Sequence, residues 1–130
     1  MPITYQASHP DGFVSAVWSG DISTADLREH LGRLLQDETA MAFMKSLSDL
    51  RAATLLFSEQ DLQLAVREAV APLLKGKDWI SAIVVRTPTQ FQMGSKYQGF
   101  ALAYSRDAIF SNLDEAKRWL QKQQLRDTSA

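Results

Sequence analysis

Apolar and polar positions alternate from Ile3 to Ser8 and again from Phe13 to Ser19, the period of a half-buried strand. In the second run Phe13, Ser15 and Val17 share one face, and Val14, Ala16 and Trp18 share the other. Between the runs lies His9-Pro10-Asp11-Gly12, where proline sets φ and glycine permits a positive one. The pattern predicts an antiparallel hairpin, closed by Gly20 and Asp21. Ser23-Thr-Ala-Asp26 then reads as a helix N-terminus with a capping box. Leu27, Leu31, Leu34 and Leu35 follow at helical spacing, predicting a helix to about Gln36.

The run Met44 to Leu50 predicts a short buried strand that ends on polar residues, followed by an apolar loop at Leu55-Leu56-Phe57. Ser58-Glu-Gln-Asp61 repeats the capping pattern. Behind it Leu62, Ala65, Val66, Ala69 and Leu73 predict one inward helical face, with Pro72 ending or kinking the helix and Gly76 beyond it. Trp79 to Val85 is almost continuously apolar, as in a strand covered on both faces. Thr87-Pro88 is a cap with proline in the first turn, opening a helix that carries Phe91, Met93, Tyr97, Phe100, Ala101 and Tyr104. Ala108 to Phe110 predicts a last strand. Ser111-Asn112 caps a last helix with Leu113, Ala116, Trp119 and Leu120 inward, and Arg126 to Ala130 are expected to fray. The order β-β-α-β-α-β-α-β-α implies an α/β fold with one mixed, mainly parallel sheet packed with helices and right-handed crossovers.

Composition narrows the function classes. A chain of 130 residues reads as one domain with an ordered core over about 3–124, able to bury roughly two-thirds of its unfolded surface. Its 14 basic and 15 acidic residues are scattered and sum to −1, which offers no field for nucleic acid. The absence of cysteine removes disulfides, thiolate nucleophiles and zinc–thiolate sites together. His9 and His30 lack a second ligand at metal spacing, so no metal or cofactor is expected. No apolar run reaches the roughly 20 residues of a membrane span. The N-terminus lacks the basic and apolar regions of a signal peptide, and the expected location is the cytoplasm.

The stretches "GDISTADLREHLGRLL", "SLSDLRAA", "AIVVRTPTQF" and "AIFSNLDEAKRWLQ", in that element order, resemble the SpoIIAA-like, or STAS/SEC14-type, group of small bacterial proteins. The likeness runs from about Tyr5 to Gln124. Its most particular features are Gly20 before the first helix, Asp49-Leu50-Arg51 at the third strand, and the closing pattern of Phe110, Glu115, Ala116, Trp119 and Leu120. The resemblance implies a four- or five-stranded sheet with helices packed on it and no established catalytic activity. In anti-sigma-factor antagonists of this fold, a serine in an Asp-Ser-Ser-Gly loop after the third strand is phosphorylated to release a partner. Ser58 is the nearest equivalent here, without the preceding Asp or the following Gly.

Two sets of candidate site residues follow. Asp49 and Arg51, expected at the third strand's carboxyl end, could hold a polar ligand or pair with each other. Thr54 and Ser58 could carry a phosphate near a helix N-terminus. Phe57, Trp79, Phe91, Met93, Tyr97 and Phe100 could line a pocket for an apolar ligand between helix and sheet. His30 is expected at the surface or boundary of its helix. The carboxylate pairs Asp37/Glu38, Glu59/Asp61 and Asp114/Glu115 sit at helix edges. No phosphate loop, nucleophile elbow or His-Glu-x-x-His motif is present, so no enzyme is expected. The leading expectation is a binding or regulatory module that contacts a protein partner through the loop after the third strand. The alternative is a carrier or sensor of a small, lipid-like apolar ligand. A homodimer through the aromatic stripe or a sheet edge suits either.

Overall fold

The computed structural model describes residues 2–8 and 10–123; the turn residue His9 and the expected fraying tail lie outside the described residues. Strands β1 (Ile3–Ser8) and β2 (Phe13–Ile22) form the antiparallel hairpin, with Ile3 opposite Trp18 and Ser8 opposite Phe13. Strands β3 (Lys45–Leu55), β4 (Trp79–Val84) and β5 (Ser105–Phe110) add to it in parallel, in the spatial order β1-β2-β3-β4-β5. The expected mixed, mainly parallel α/β sheet is what the chain forms.

The helices divide unequally between the two faces. On the inner face lie α1 (Thr24–Gln36), α2 (Glu38–Phe43), α3 (Glu59–Ala65), α4 (Ala71–Leu74) and α5 (Pro88–Phe100). Leu27, Leu62 and Ala65 pack there against Ala16, Trp18, Leu50 and Ile83. The outer face carries α6 (Leu113–Lys122), whose Ala116 and Leu120 pack on Phe13, Leu47, Ile80, Ala82 and Val84. With β4 buried from both sides, each of its six residues is inaccessible, which explains its unbroken apolar run. The outer face beside β2 stays open, and Val17 is 48% exposed there.

Local chemistry explains the helix starts. Ser23 with Asp26, Ser58 with Asp61 and Thr87 with Gln90 each form a reciprocal capping box, hydroxyl to backbone and side chain back to the cap. Asn112 caps α6 by accepting from the Glu115 N–H at 3.0 Å.

Six elements differ from the sequence expectation. Helix α5 ends at Phe100, leaving Ala101 and Tyr104 in the turn that follows, and β5 starts at Ser105 rather than Ala108, where its polar first half pairs with β4. The strand β3 runs to Leu55 rather than stopping at Leu50, because a bulge hides its period. Val17 pairs with Asp49 and Ser19 with Ala52, so β3 holds an extra residue there, and Leu50 and Ala53 both face inward. The partner strand β2 also continues, through Gly20 at φ +69°, to Ile22. An unexpected α2 begins at Asp37, whose carboxylate accepts from the Ala40 N–H at 3.1 Å and the Tyr5 hydroxyl at 2.7 Å. Between α3 and α4 one π turn spans Val66–Val70, with the Ala71 N–H bonded to the Val66 carbonyl. That added residue rotates the later turn, so Leu74 is buried at 2% while Leu73 is 44% exposed. It also falls just before Pro72, which has no N–H for the helical ladder.

Candidate functional site

A cavity of about 90 Å³ lies between the helix layer and the inner face of the sheet. Its floor is unusual for a buried sheet. Three serines stand on the two central strands: Ser46 and Ser48 on β3 and Ser81 on β4, with Ser46 and Ser81 directly paired. A branched aliphatic side chain at these positions would fill the space that serine leaves. The walls are leucines of α1, Leu62, Val70 and Leu74 behind them, and Met93, Gly94 and Tyr97 of α5. Helix α5 lies against the sheet at Gly94, where an added Cβ would stand in van der Waals contact with Ile109 at 3.4 Å and Ile83 at 3.7 Å. Ser48 is half-buried although it lies on a central strand, and it lines the cavity.

The floor's polar atoms form a network. The Trp79 indole N–H donates to Ser46 Oγ at 3.2 Å. Ser81 donates to Asp107, and the Ser105 hydroxyl lies 2.7 Å from Asp107 Oδ2. Burial pushes the Asp107 carboxyl up, opposed by the two serine hydroxyls. Burial and the neighbouring Asp107 charge push the Tyr97 hydroxyl up as well. At the opposite wall His30 is 6% exposed, packed edge-on against Trp18 at 5.5 Å and Tyr5 at 6.0 Å. Burial, aided by the charge of Arg33, holds its imidazole down to about 4. Trp18 supplies the last group: among the described residues its Nε1–H is the buried side-chain donor without a hydrogen-bond partner. No group of three or more His, Asp or Glu among the described residues is placed to hold a metal ion.

No family model matches the chain, and no curated protein matches it. The architecture does have a counterpart among solved structures. It superimposes on an uncharacterized protein of the DUF3478 family from Shewanella loihica, described as having a SpoIIAA-like fold, with a TM-score of 0.58 over 91% of each chain and 19% sequence identity. The fold is SpoIIAA-like. At that identity the likeness is one of backbone architecture, so the chemistry of this SpoIIAA-like chain rests on its own side chains.

Of the apolar candidates, Trp79, Met93 and Tyr97 meet at the cavity. The other three do not. Phe57 is buried in the neighbouring core, and Phe100 packs beside it without reaching the cavity wall. Phe91 is 54% exposed, because the inward position of that turn belongs to Gln90. Gln90 is 2% exposed and fills the gap where β3 outruns β4: its amide donates to the Ala53 carbonyl at 2.9 Å, and its oxygen accepts from the Arg86 N–H at 2.7 Å.

The polar candidates lie elsewhere in the SpoIIAA-like fold. Asp49 and Arg51 are inside β3, not at its end, although Asp49 pairs with Val84, the last residue of β4. Their side chains form a two-pronged ion pair, both contacts at 2.9 Å, beside an open groove shared with Val17 and Arg86. The Arg51 guanidinium holds the Asp49 carboxyl below the usual carboxylate range. Thr54 is exposed on β3 opposite Asp21. Ser58 is exposed and engaged as the cap of α3.

Sequence reasoning missed the floor serines, Trp18, Asp107 and His30, the last being buried rather than at the surface. A signal existed for the floor. Ser46 and Ser48, the lone polar Ser81 of β4, and Ser105 and Asp107 stand at alternate positions of their strands, which is a polar stripe on an inward face. For His30 the signal was its place at i+3 from Leu27 and i−4 from Leu34, on the inward stripe of α1.

Proposed function

We propose that this SpoIIAA-like domain is a non-enzymatic binding module whose ligand is a small molecule held in the interior cavity. The observation that carries the reading is the cavity's construction: small serines on central strands, where packing favours branched aliphatics, facing a glycine and an aromatic helix. An engineered apolar cavity of about 150 Å³ takes up benzene, and drug-sized ligands occupy roughly 300–1,000 Å³. At about 90 Å³ the site suits a molecule of a few heavy atoms and is too small for a lipid chain, which narrows the expected lipid-like ligand. The non-enzymatic part is supported by how the hydroxyls are used. Ser81 and Ser105 bond a carboxylate, and the imidazole belongs to the opposite wall.

The loop after the third strand has less to recommend it as a phosphorylation switch. Ser58 Oγ already accepts from the Asp61 N–H at 3.0 Å, and the Asp61 carboxylate accepts from the Ser58 N–H at 3.0 Å. A phosphate there would displace the cap and face a carboxylate. Met93 and Tyr97 of the α5 stripe turn inward, while Phe91 is exposed. Regulation enters through the ligand itself. Occupancy would tie α1 and α5 to the sheet and stabilise the fold by about 2.7 kcal/mol at a hundredfold excess over Kd.

The test is solvent extraction of protein purified from its own host, with mass spectrometry of what is released. One small molecule near one equivalent is expected, absent from Ser48→Leu, whose larger side chain fills the floor. Release of nothing beyond buffer components, from protein and variant alike, would overturn the reading.

A further inference from the structure

We infer that the cavity is selective for an uncharged molecule carrying a hydrogen-bond acceptor, which Trp18 Nε1–H engages. The inference rests on the cavity being the binding site and adds the chemistry of its ligand. Charge comes first. Among the described residues no Asp, Glu, Lys or Arg lines the cavity, and burial favours the neutral form of both titratable rings at its wall, His30 and Tyr97. An ion entering would lose its hydration and find no counter-charge. Asp107 sits behind Ser81, which spends its proton on that carboxylate.

The donor inventory then separates an acceptor from a hydrocarbon. The Trp79 indole is paired with Ser46, and Tyr97 hydrogen-bonds with Ser105. Trp18 alone among the buried side-chain donors of the described residues has no partner, while being 8% exposed and part of the cavity wall. A buried N–H without an acceptor is rare in folded proteins and points to something that supplies one. Ser48, also lining the cavity, offers a hydroxyl that can donate to the same acceptor. The ligand class is therefore a compact ketone, ester, ether or similar neutral molecule.

Cyclopentanone and its hydrocarbon counterpart methylenecyclopentane have nearly the same shape and differ in the acceptor. Both are titrated into the ¹⁵N-labelled full chain, following the indole signals of its three tryptophans, and into Trp18→Phe. The expected result is a downfield move of the Trp18 indole signal with the ketone. Trp18→Phe should weaken the ketone about tenfold, the worth of a donor otherwise left unpaired, and change the hydrocarbon less than about twofold. Equal weakening of both, or ketone binding that leaves the Trp18 signal unmoved, overturns the acceptor claim while the cavity reading stands. Acetate should leave the signal in place, and a saturable shift with acetate overturns neutrality. If neither neutral probe moves a cavity signal at millimolar concentration, the inference and the function it rests on both fall. Should Trp18→Phe fail to fold, the indole signal in the unaltered protein still decides between these outcomes.

Discussion

Acidifying the solution from pH 8 to pH 5 should cost this protein stability through His30. The imidazole is wedged between Tyr5 and Trp18, with Arg33 the nearest like charge on its own helix, and its folded value is about 4 against an ordinary 6.5. Because the folded value is the lower one, the unfolded chain binds more protons between the two. Stability that is complete above 6.5 is lost as pH falls toward 4. At pH 5 the unfolded ring is almost wholly protonated and the folded ring about a tenth, a difference worth ~2 kcal/mol. Asp107 works in the opposite sense: its folded value is raised, so its contribution is gained on acidification and lost as pH rises. Urea denaturation at pH 8, 7, 6 and 5, for the protein and for His30→Gln, cancels Asp107 and the remaining carboxylates. The stability difference between the two proteins should narrow by ~2 kcal/mol from pH 8 to pH 5. Parallel pH curves would refute the claim that burial holds His30 neutral.

Six substitutions at five positions test other parts of the account. Ser58→Ala should cost about 1 kcal/mol in chemical denaturation and Ser58→Asp nearly nothing, because aspartate also caps; equal losses would contradict the capping role. Gly32→Ala should stabilise by about 1 kcal/mol, since an added Cβ meets nothing within 4 Å in mid-helix. Gly20→Ala should instead lose about 1–2 kcal/mol at φ +69°, and matching Tm shifts for the two glycines would sink that contrast. Leu120→Ala should cost about 3 kcal/mol, as Leu120 is fully buried between α6 and the outer face of the sheet. Arg51→Ala should change stability by less than about 1 kcal/mol, because its ion pair with Asp49 is partly open to solvent, and a larger loss would mark the pair as structural.

Legibility in the sequence followed the range of the forces involved. The hairpin, the first two capping boxes and β4 could be read because each is set by residues within a few positions of one another. The β3 bulge and the π turn could not, since each adds one residue to a period and makes the pattern stop short: Arg51 to Leu55 looked like loop, and Leu73 took the inward place that belongs to Leu74. Phe91 illustrates a different limit. Its apolar side chain suggested burial, yet the neighbouring Gln90 takes the interior because the unpaired Ala53 carbonyl outranks apolar area there. The cavity was legible only in part. Trp79, Met93 and Tyr97 could be guessed from spacing, and His30 could have been placed on the inward stripe of α1 with Leu27 and Leu34, whereas pairing Ser46 with Ser81 needs the register of β3 against β4.

The central claim, a ligand held inside the domain, is tested most directly by electron density in a crystal of protein taken from its own host. The account predicts connected density larger than a water molecule between Ser48 and Tyr97, with one polar atom within hydrogen-bond distance of Trp18 Nε1. An empty space, or separate water peaks alone, would contradict it.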